Sequence, residues 1–88
     1  MKHAGPDALD RLESVLRRLR EIPKLTERSR GVFYCSSKAF LHFHEDPTGL
    51  YADLRRTESF ERFPMNSRAE KDEFLRLVSL AVAKPGER

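Results

Sequence analysis

The fold of this chain is decided by residues 39–54, which read AFLHFHEDPTGLYADL. Their centre, Asp46-Pro47-Thr48-Gly49, has the residues of a type I turn: an Asp that can cap it, a Pro that presets the second backbone angle, and a final Gly. The runs on both sides alternate apolar and polar residues, which is typical of half-buried strands. We therefore predict a β-hairpin.

The register of this hairpin follows from side-chain matching. With Asp46 paired to Gly49, apolar residues face apolar residues across the two strands. A one-residue slip would instead set Phe43 against Asp53. On the opposite face, the expected cross-strand pairs are His44 with Tyr51 and His42 with Asp53.

Periodic patterns place the remaining elements around the hairpin. Apolar residues at helical spacing predict a helix over 6–22 that ends before Pro23. A second helix is expected to begin at Ser67, which forms a capping-box pair with Glu70, and to end at 84–86. The expected strands are 31–35, the two hairpin strands and a short fourth strand at 59–63, with a loop at 24–30.

These elements predict an α+β fold. It is a two-layer sandwich with an antiparallel meander of three to four strands and the N- and C-terminal helices packed on one face, in the order α-β-β-β-(β)-α. A turn over residues 36–37 sets Phe33 opposite Phe40 in the first hairpin. The helix-facing side is then expected to carry Val32, Tyr34, Ala39, Leu41, Phe43, Leu50, Ala52 and Leu54. The outer face is expected to carry Phe33, Cys35, Phe40, His42, His44, Tyr51 and Asp53.

Length and composition are those of one small domain. The chain has 88 residues, 39% hydrophobic and 35% charged, and we expect a single domain over 6–84 between a disordered arm at 1–5 and a disordered tail at 85–88. The single cysteine, Cys35, excludes an intrachain disulfide. Without a leader pattern or a long apolar run, the expected compartment is the cytoplasm, with no membrane association. A net charge of +3 weakly favours acidic partners.

The outer face is more aromatic than a solvated sheet face requires, which favours a contact surface. Because no other element of the chain is left to cover it, we expect a homodimer or a protein partner there. The sequence therefore favours a non-enzymatic interaction or self-associating module. The expected interaction surface comprises Phe33, Phe40, His42, His44, Tyr51 and Asp53.

Nucleic-acid binding is the first alternative function. Aromatic side chains on neighbouring strands can stack on bases while basic side chains contact phosphates. Acidic residues near the same surface, together with the lack of an RNP-type motif, disfavour this hypothesis. The residues that would serve it are Phe33, Phe40, Tyr51, Lys38, Arg55 and Arg56.

A metal site is the second alternative. His42 and His44 alternate on one strand, so both rings project to the same face, and Asp53 lies opposite His42. Two imidazoles and a carboxylate suit zinc or non-haem iron. The His-Phe-His spacing resembles the first motif of cupins, but Glu45 follows at once, the second motif is absent and the chain is too short for a jelly roll.

An acid-base site is the other form of this alternative. Asp53 would orient His42 as a proton acceptor, as carboxylates orient histidines in hydrolases. The nucleophile would be Cys35, Tyr51 or a serine, none of which the sequence places convincingly. Cross-strand polar pairs explain the same residues without any ligand, so the sequence predicts no cofactor.

One resemblance extends over more of the chain. The runs FY at 33–34, AFLHFHEDPTGLYADLR at 39–55 and FERF at 60–63, followed by a capped helix, resemble a family of small uncharacterised bacterial proteins. The likeness covers about two thirds of the chain and brings no known activity. It implies a bacterial, cytoplasmic origin and nothing about function.

Overall fold

The computed structural model describes residues 1–83 of the chain. Its elements are β1 (Lys2–His3), α1 (Pro6–Arg11), α2 (Glu13–Arg20), β2 (Leu25–Ser29), β3 (Val32–Cys35), β4 (Lys38–Asp46), β5 (Gly49–Arg55), β6 (Phe60–Pro64) and α3 (Arg68–Ala83). One antiparallel sheet has the strand order β2-β3-β4-β5-β6, and β1 pairs with β4 as well. The predicted tail at 85–88 and the predicted helix end at 84–86 lie outside the described residues.

The helices share one hydrophobic core with the sheet, which confirms the predicted α+β sandwich. Leu16 and Leu19 of α2 are fully buried in the same cluster as Leu41 of the hairpin. α3 joins this core, where the ring centroid of Phe74 lies 6.1 Å from that of Phe43. Each fully buried side chain of this size stabilises the fold by about 1.5–3 kcal/mol. None of the helices within residues 1–83 has the length and apolar character needed to cross a membrane.

The predicted helix over 6–22 is divided into α1 and α2 at Leu12. The backbone N–H of Leu12 donates to the carbonyl oxygens of Ala8 and Leu9, at 3.2 Å and 3.0 Å. Its own carbonyl oxygen accepts from Val15 and Leu16. Leu12 is fully buried. Because leucine is a good helix former, the sequence carries no signal for this break.

The start of α3 has the predicted capping pair and an additional link to the sheet. Ser67 Oγ accepts the backbone N–H of Glu70 at 3.1 Å, and Glu70 Oε1 accepts the backbone N–H of Asn66 at 2.8 Å. The Asn66 side chain accepts the Leu50 N–H at 2.8 Å and donates to the Leu50 carbonyl oxygen at 3.1 Å. Asn66 therefore joins the helix start to β5.

The β4–β5 hairpin has the predicted register. Asp46 pairs with Gly49, and the two expected outer-face pairs are present as backbone partners: His44 with Tyr51 and His42 with Asp53. The predicted fourth strand also forms, as β6, and it places Arg62 opposite Asp53. The register of the β4–β5 hairpin could thus be predicted residue by residue.

The β3–β4 hairpin differs from its predicted register. A bulge shifts the ladder so that Phe33 faces Leu41 and Val32 faces His42. The unpaired extra residue is Phe40, and an extra residue reverses the alternation of faces beyond it. Phe33 is consequently 1% exposed and lies in the core, so its predicted position on the outer face is wrong. Phe40 also belongs to the core cluster.

The predicted loop at 24–30 contains a strand instead. In β2, Leu25 is the only apolar residue, and it is buried in the core. The strand is held by backbone pairing with β3 and by Glu27, which accepts two hydrogen bonds from Arg20 of α2 at 2.5 Å and 3.1 Å. Because backbone pairing and an ion pair hold this strand, its sequence lacks the alternating apolar pattern that would predict it.

The predicted arm at 1–5 also carries a strand. In β1, Lys2 pairs with Glu45 and His3 pairs with His44. β3 pairs with β4 only as far as His42, so the rest of that edge of β4 lies beyond the reach of β3. β1 occupies this edge, because unpaired backbone groups at a sheet edge favour a further strand.

Candidate metal centre

All three histidines of the chain converge on the outer face of the sheet. His3, His42 and His44 each offer one ring nitrogen, and these atoms lie within 4.8 Å of one another. The ring centroids are 4.7 Å apart for His42 and His44, 4.9 Å for His3 and His44, and 5.6 Å for His3 and His42. Imidazole is the commonest metal ligand in proteins, so this cluster can hold a metal ion.

Two features of the backbone bring these rings together. His42 and His44 alternate on β4 and therefore share a face. His3 joins them because β1 pairs with the end of β4 and sets His3 directly opposite His44. The Ala4 N–H donates to the Phe43 carbonyl oxygen at 3.0 Å and keeps β1 in place.

Asp53 and Arg62 form the polar border of the histidine cluster on β5 and β6. Arg62 donates from Nε to Asp53 Oδ1 at 2.8 Å and from Nη2 to Asp53 Oδ2 at 2.9 Å. Asp53 Oδ2 also lies 3.1 Å from Nε2 of His44. Asp53 is only 7% exposed, so its charge is balanced by these partners rather than by water.

The hydrogen bonds of His44 determine where its proton lies. His44 Nε2 lies 2.9 Å from His42 Nδ1 and 3.1 Å from Asp53 Oδ2. An ionised carboxylate only accepts, so we assign the proton to Nε2, between these two acceptors. His44 Nδ1 then carries a lone pair, and within residues 1–83 this buried atom has no hydrogen-bond partner. A buried acceptor without a donor or cation is unfavourable.

The electrostatics of the cluster favour a neutral imidazole next to a charged carboxylate. Burial lowers the pKa of His42, and the neighbouring His44 and His3 lower it further against the attraction of Asp53. Burial acts to raise the pKa of Asp53, but the hydrogen bond and the positive charge of Arg62 outweigh it, so this pKa falls below its usual value. Metal ligation by histidine requires the neutral ring.

In the structure, the Asp53 carboxylate has different partners from the one that the acid-base hypothesis assumes. His42 and Asp53 are opposite in the backbone ladder, yet the Asp53 carboxylate contacts His44 and Arg62. Of the candidate nucleophiles, Cys35 is half-buried and packs against the core, and the Tyr51 hydroxyl lies 2.7 Å from the Thr48 hydroxyl. The predicted His42–Asp53 dyad is therefore a register pair without the carboxylate contact that general-base catalysis needs.

The residues of the predicted contact surfaces are divided between two environments. His42, His44, Tyr51 and Asp53 lie on the predicted outer face, whereas Phe33 and Phe40 belong to the core, so the predicted outer-face position of both phenylalanines is wrong. Arg55 donates two hydrogen bonds to the Ala39 carbonyl oxygen, and Arg56 makes a bidentate ion pair with Glu61 at 2.7 Å and 2.9 Å. Lys38 is exposed at the β3–β4 turn.

Three neighbours of the site were not predicted from the sequence: His3, Phe60 and Arg62. Arg62 could have been found, because continuing the alternation across β6 sets it opposite Asp53. Phe60, whose ring lies 4.8 Å from that of His42, follows from the same alternation. His3 had no such signal, since it lies outside every periodic segment.

Comparisons with protein-family models, with curated proteins and with solved structures find no match to this chain. The resemblance to small bacterial proteins therefore stays a prediction. Function has to be inferred from the geometry of the side chains.

Proposed function

We propose that this protein binds a first-row transition-metal ion, with Zn²⁺ as the reference ion, through His3, His42 and His44. The observation that carries the proposal is the convergence of three ring nitrogens within 4.8 Å. Three imidazoles with one further open position form a ligand set that zinc proteins use. Imidazole also suits copper, nickel and iron, so the proposal names a class of ion.

The spacing of the nitrogens suits coordination after small side-chain rotations. With Zn–N bonds of about 2.1 Å and tetrahedral angles, ligand nitrogens lie about 3.4 Å apart. One ring nitrogen from each of His3, His42 and His44 lies within 4.8 Å of the other two, a wider spacing than this. Shifts of roughly 1 Å reconcile the two, which is within the reach of rotations about the histidine side-chain bonds.

Asp53 serves this proposal as a supporting residue rather than as a ligand. Both of its carboxylate oxygens accept hydrogen bonds from Arg62, and one also faces His44 Nε2. Ligating histidines commonly donate their second N–H to a carboxylate, which fixes the tautomer and the ring orientation. His44 would then offer its orphaned Nδ1 to the ion. In the proposed ligand set, His3 takes the place that the sequence hypothesis gave to Asp53, beside His42.

Zn²⁺ affinity, measured by competition against a colorimetric chelator, tests the proposal. His3→Ala and His42→Ala are each expected to weaken binding by more than the roughly 10–100-fold typical of losing an outer partner of a ligand. Tyr51→Phe is the matched control, because Tyr51 lies on the same face and its hydroxyl is already bonded to Thr48. The proposal is wrong if wild type binds none of Zn²⁺, Cu²⁺, Ni²⁺ and Co²⁺ at micromolar concentrations, or if the histidine variants match the control.

Self-association through the outer face is a second proposal, which the position of Phe60 favours. This side chain is 38% exposed, beside the half-buried His42 ring. Aromatic side chains are enriched at protein–protein interfaces relative to the rest of a protein surface. Light scattering at tens of micromolar is expected to give a dimer that Phe60→Ser converts to a monomer, and a monomeric wild type would contradict this.

We do not propose nucleic-acid binding, because Phe33 lies in the core.

A further inference from the structure

We infer that binding of the metal ion and docking of β1 on β4 are one coupled event, and that Glu45 is the positioning residue that links them. This inference rests on the proposed metal site. His42 and His44 come from a strand in the middle of the sheet, whereas His3 comes from a two-residue strand whose side chains are exposed. The ligand set is therefore complete only while β1 is docked.

Within residues 1–83, few contacts hold β1 in place. Its register pairs are Lys2 with Glu45 and His3 with His44. Beyond these pairs, the Ala4 N–H donates to the Phe43 carbonyl oxygen at 3.0 Å. So short a strand, with solvent on its side chains, belongs to the part of a fold that opens most readily. A ligand that binds only the docked form must shift this equilibrium towards docking.

Glu45 gives this anchoring a charge-assisted hydrogen bond. Its Oε2 accepts the backbone N–H of Gly5 at 2.6 Å, immediately after β1. Hydrogen bonds to an ionised carboxylate are among the stronger ones in proteins. Glu45 lies next to His44 in the sequence, yet its side chain holds the backbone that carries His3. Glu45 thus acts on the metal ion through His3 and not as a ligand.

Coupling of this kind is reciprocal. Because Zn²⁺ finds all three ligands only in the docked form, its apparent affinity is proportional to the fraction of chains in which β1 is docked. The few contacts of β1 make docking only marginally favourable, so weakening them lowers this fraction and the Zn²⁺ affinity with it. Glu45→Ala removes the anchor and is expected to weaken Zn²⁺ binding roughly tenfold, the change that corresponds to a hydrogen bond to a charged group. Glu45→Gln keeps an acceptor oxygen and loses only the contribution of the charge, so it is expected to stay within about fivefold of wild type.

Amide exchange gives the second arm of the experiment. Hydrogen exchange at the Ala4 and Gly5 amides, followed by NMR, is expected to slow at least about tenfold when Zn²⁺ is added to wild type. In His3→Ala the same addition should leave these amides unchanged, because the ion no longer has a ligand on β1. Amides in the centre of β5 serve as an internal reference.

Each outcome separates this inference from the metal proposal. Zn²⁺ binding by wild type without slower exchange at Ala4 and Gly5 overturns the coupling and leaves the metal site standing. Equal Zn²⁺ affinity in wild type and Glu45→Ala overturns it as well. Equal losses in Glu45→Ala and Glu45→Gln would mean that the charge acts through space and that anchoring is not the cause. Failure of wild type to bind any of the four ions removes the metal site itself.

Discussion

Asp53→Asn is the substitution that tests the electrostatics of the site most directly. It preserves the shape of the side chain and removes the negative charge that faces Arg62 and His44. The introduced amide also has to point its NH₂ group at one of these two donors, so at least one hydrogen bond is lost. We expect the variant to be less stable and to bind Zn²⁺ more weakly than wild type.

The expected loss of stability is about 2 kcal/mol. Hydrogen bonds to a charged group are worth about 1 kcal/mol more than neutral ones, and such a difference applies to the contact with His44. The Arg62 pair is discounted to about 1 kcal/mol, because the arginine side chain is 46% exposed and its charge is screened by water. For a domain of this size, about 2 kcal/mol corresponds to a fall in Tm of roughly 10 °C.

The Zn²⁺ affinity should fall for a separate reason. In the Asp53→Asn variant, an NH₂ group turned towards His44 would donate to Nε2 and move the ring proton to Nδ1, the atom that the proposal assigns to the ion. Loss of an outer partner of a ligating histidine typically weakens metal binding 10–100-fold, and we expect a loss of about that size.

Thermal melts in the presence of a chelator, and chelator competition with Zn²⁺, measure the two effects independently. Glu61→Gln is the control, because it removes an exposed acid on the neighbouring strand that pairs with Arg56. Such pairs contribute little, so its Tm and affinity should match wild type. An unchanged Tm in Asp53→Asn would refute the assignment of Asp53 as a desolvated charge. A lowered Tm with unchanged Zn²⁺ affinity would refute its role behind His44.

Three further substitutions test the fold and its ion pairs. In urea unfolding, Phe33→Ala should lower the free energy of unfolding by about 3–5 kcal/mol and Val32→Ala by about 1 kcal/mol, because the bulge puts Phe33 in the core. A larger loss in Val32→Ala than in Phe33→Ala would support the unshifted register instead. Gly31→Ala should cost on the order of 1–2 kcal/mol, since Gly31 has φ +81° and a Cβ there would lie 2.7 Å from Leu9; a neutral result would contradict this geometry. Hydrogen bonds from Arg30 and Arg20 lower the pKa of Glu13 to about 2, so wild type should be more stable than Glu13→Gln at pH 7 and lose that advantage as the pH falls from about 4.5 towards 2. A pH-independent difference would show that the Glu13 charge is not its source.

The elements with strong side-chain signals were predictable, and those held by backbone pairing were not. The turn at 46–49 and the alternation around it determine both the β4–β5 register and the neighbourhood of His42, His44 and Asp53. β2 forms with a single buried apolar residue, Leu25, so nothing in its sequence distinguishes it from a loop. Its pairing satisfies backbone groups that any sequence carries.

The bulge in β4 was unpredictable for a related reason. Phe40 and Leu41 are both large and apolar, so Phe33 finds an apolar partner in either register, and side-chain matching cannot choose between them. The consequence for function is direct. The predicted aromatic outer face loses Phe33 to the core and gains Val32 beside His42, which weakens the stacking surface that nucleic-acid binding would need.

The ligand set itself can be traced to a difference in strand length. β4 extends over Lys38–Asp46, whereas β3 extends only over Val32–Cys35. The end of the β4 edge is left without a partner from β3, and an open edge favours pairing with any available strand. β1 supplies that strand, and the register of two backbone pairs decides that residue 3 lies opposite His44. Because the side chain at this position is exposed, replacing His3 should leave the core intact while removing one ligand. The fold and the proposed metal site are therefore separable at position 3, which makes His3→Ala the variant whose loss of Zn²⁺ binding is least open to explanation by unfolding.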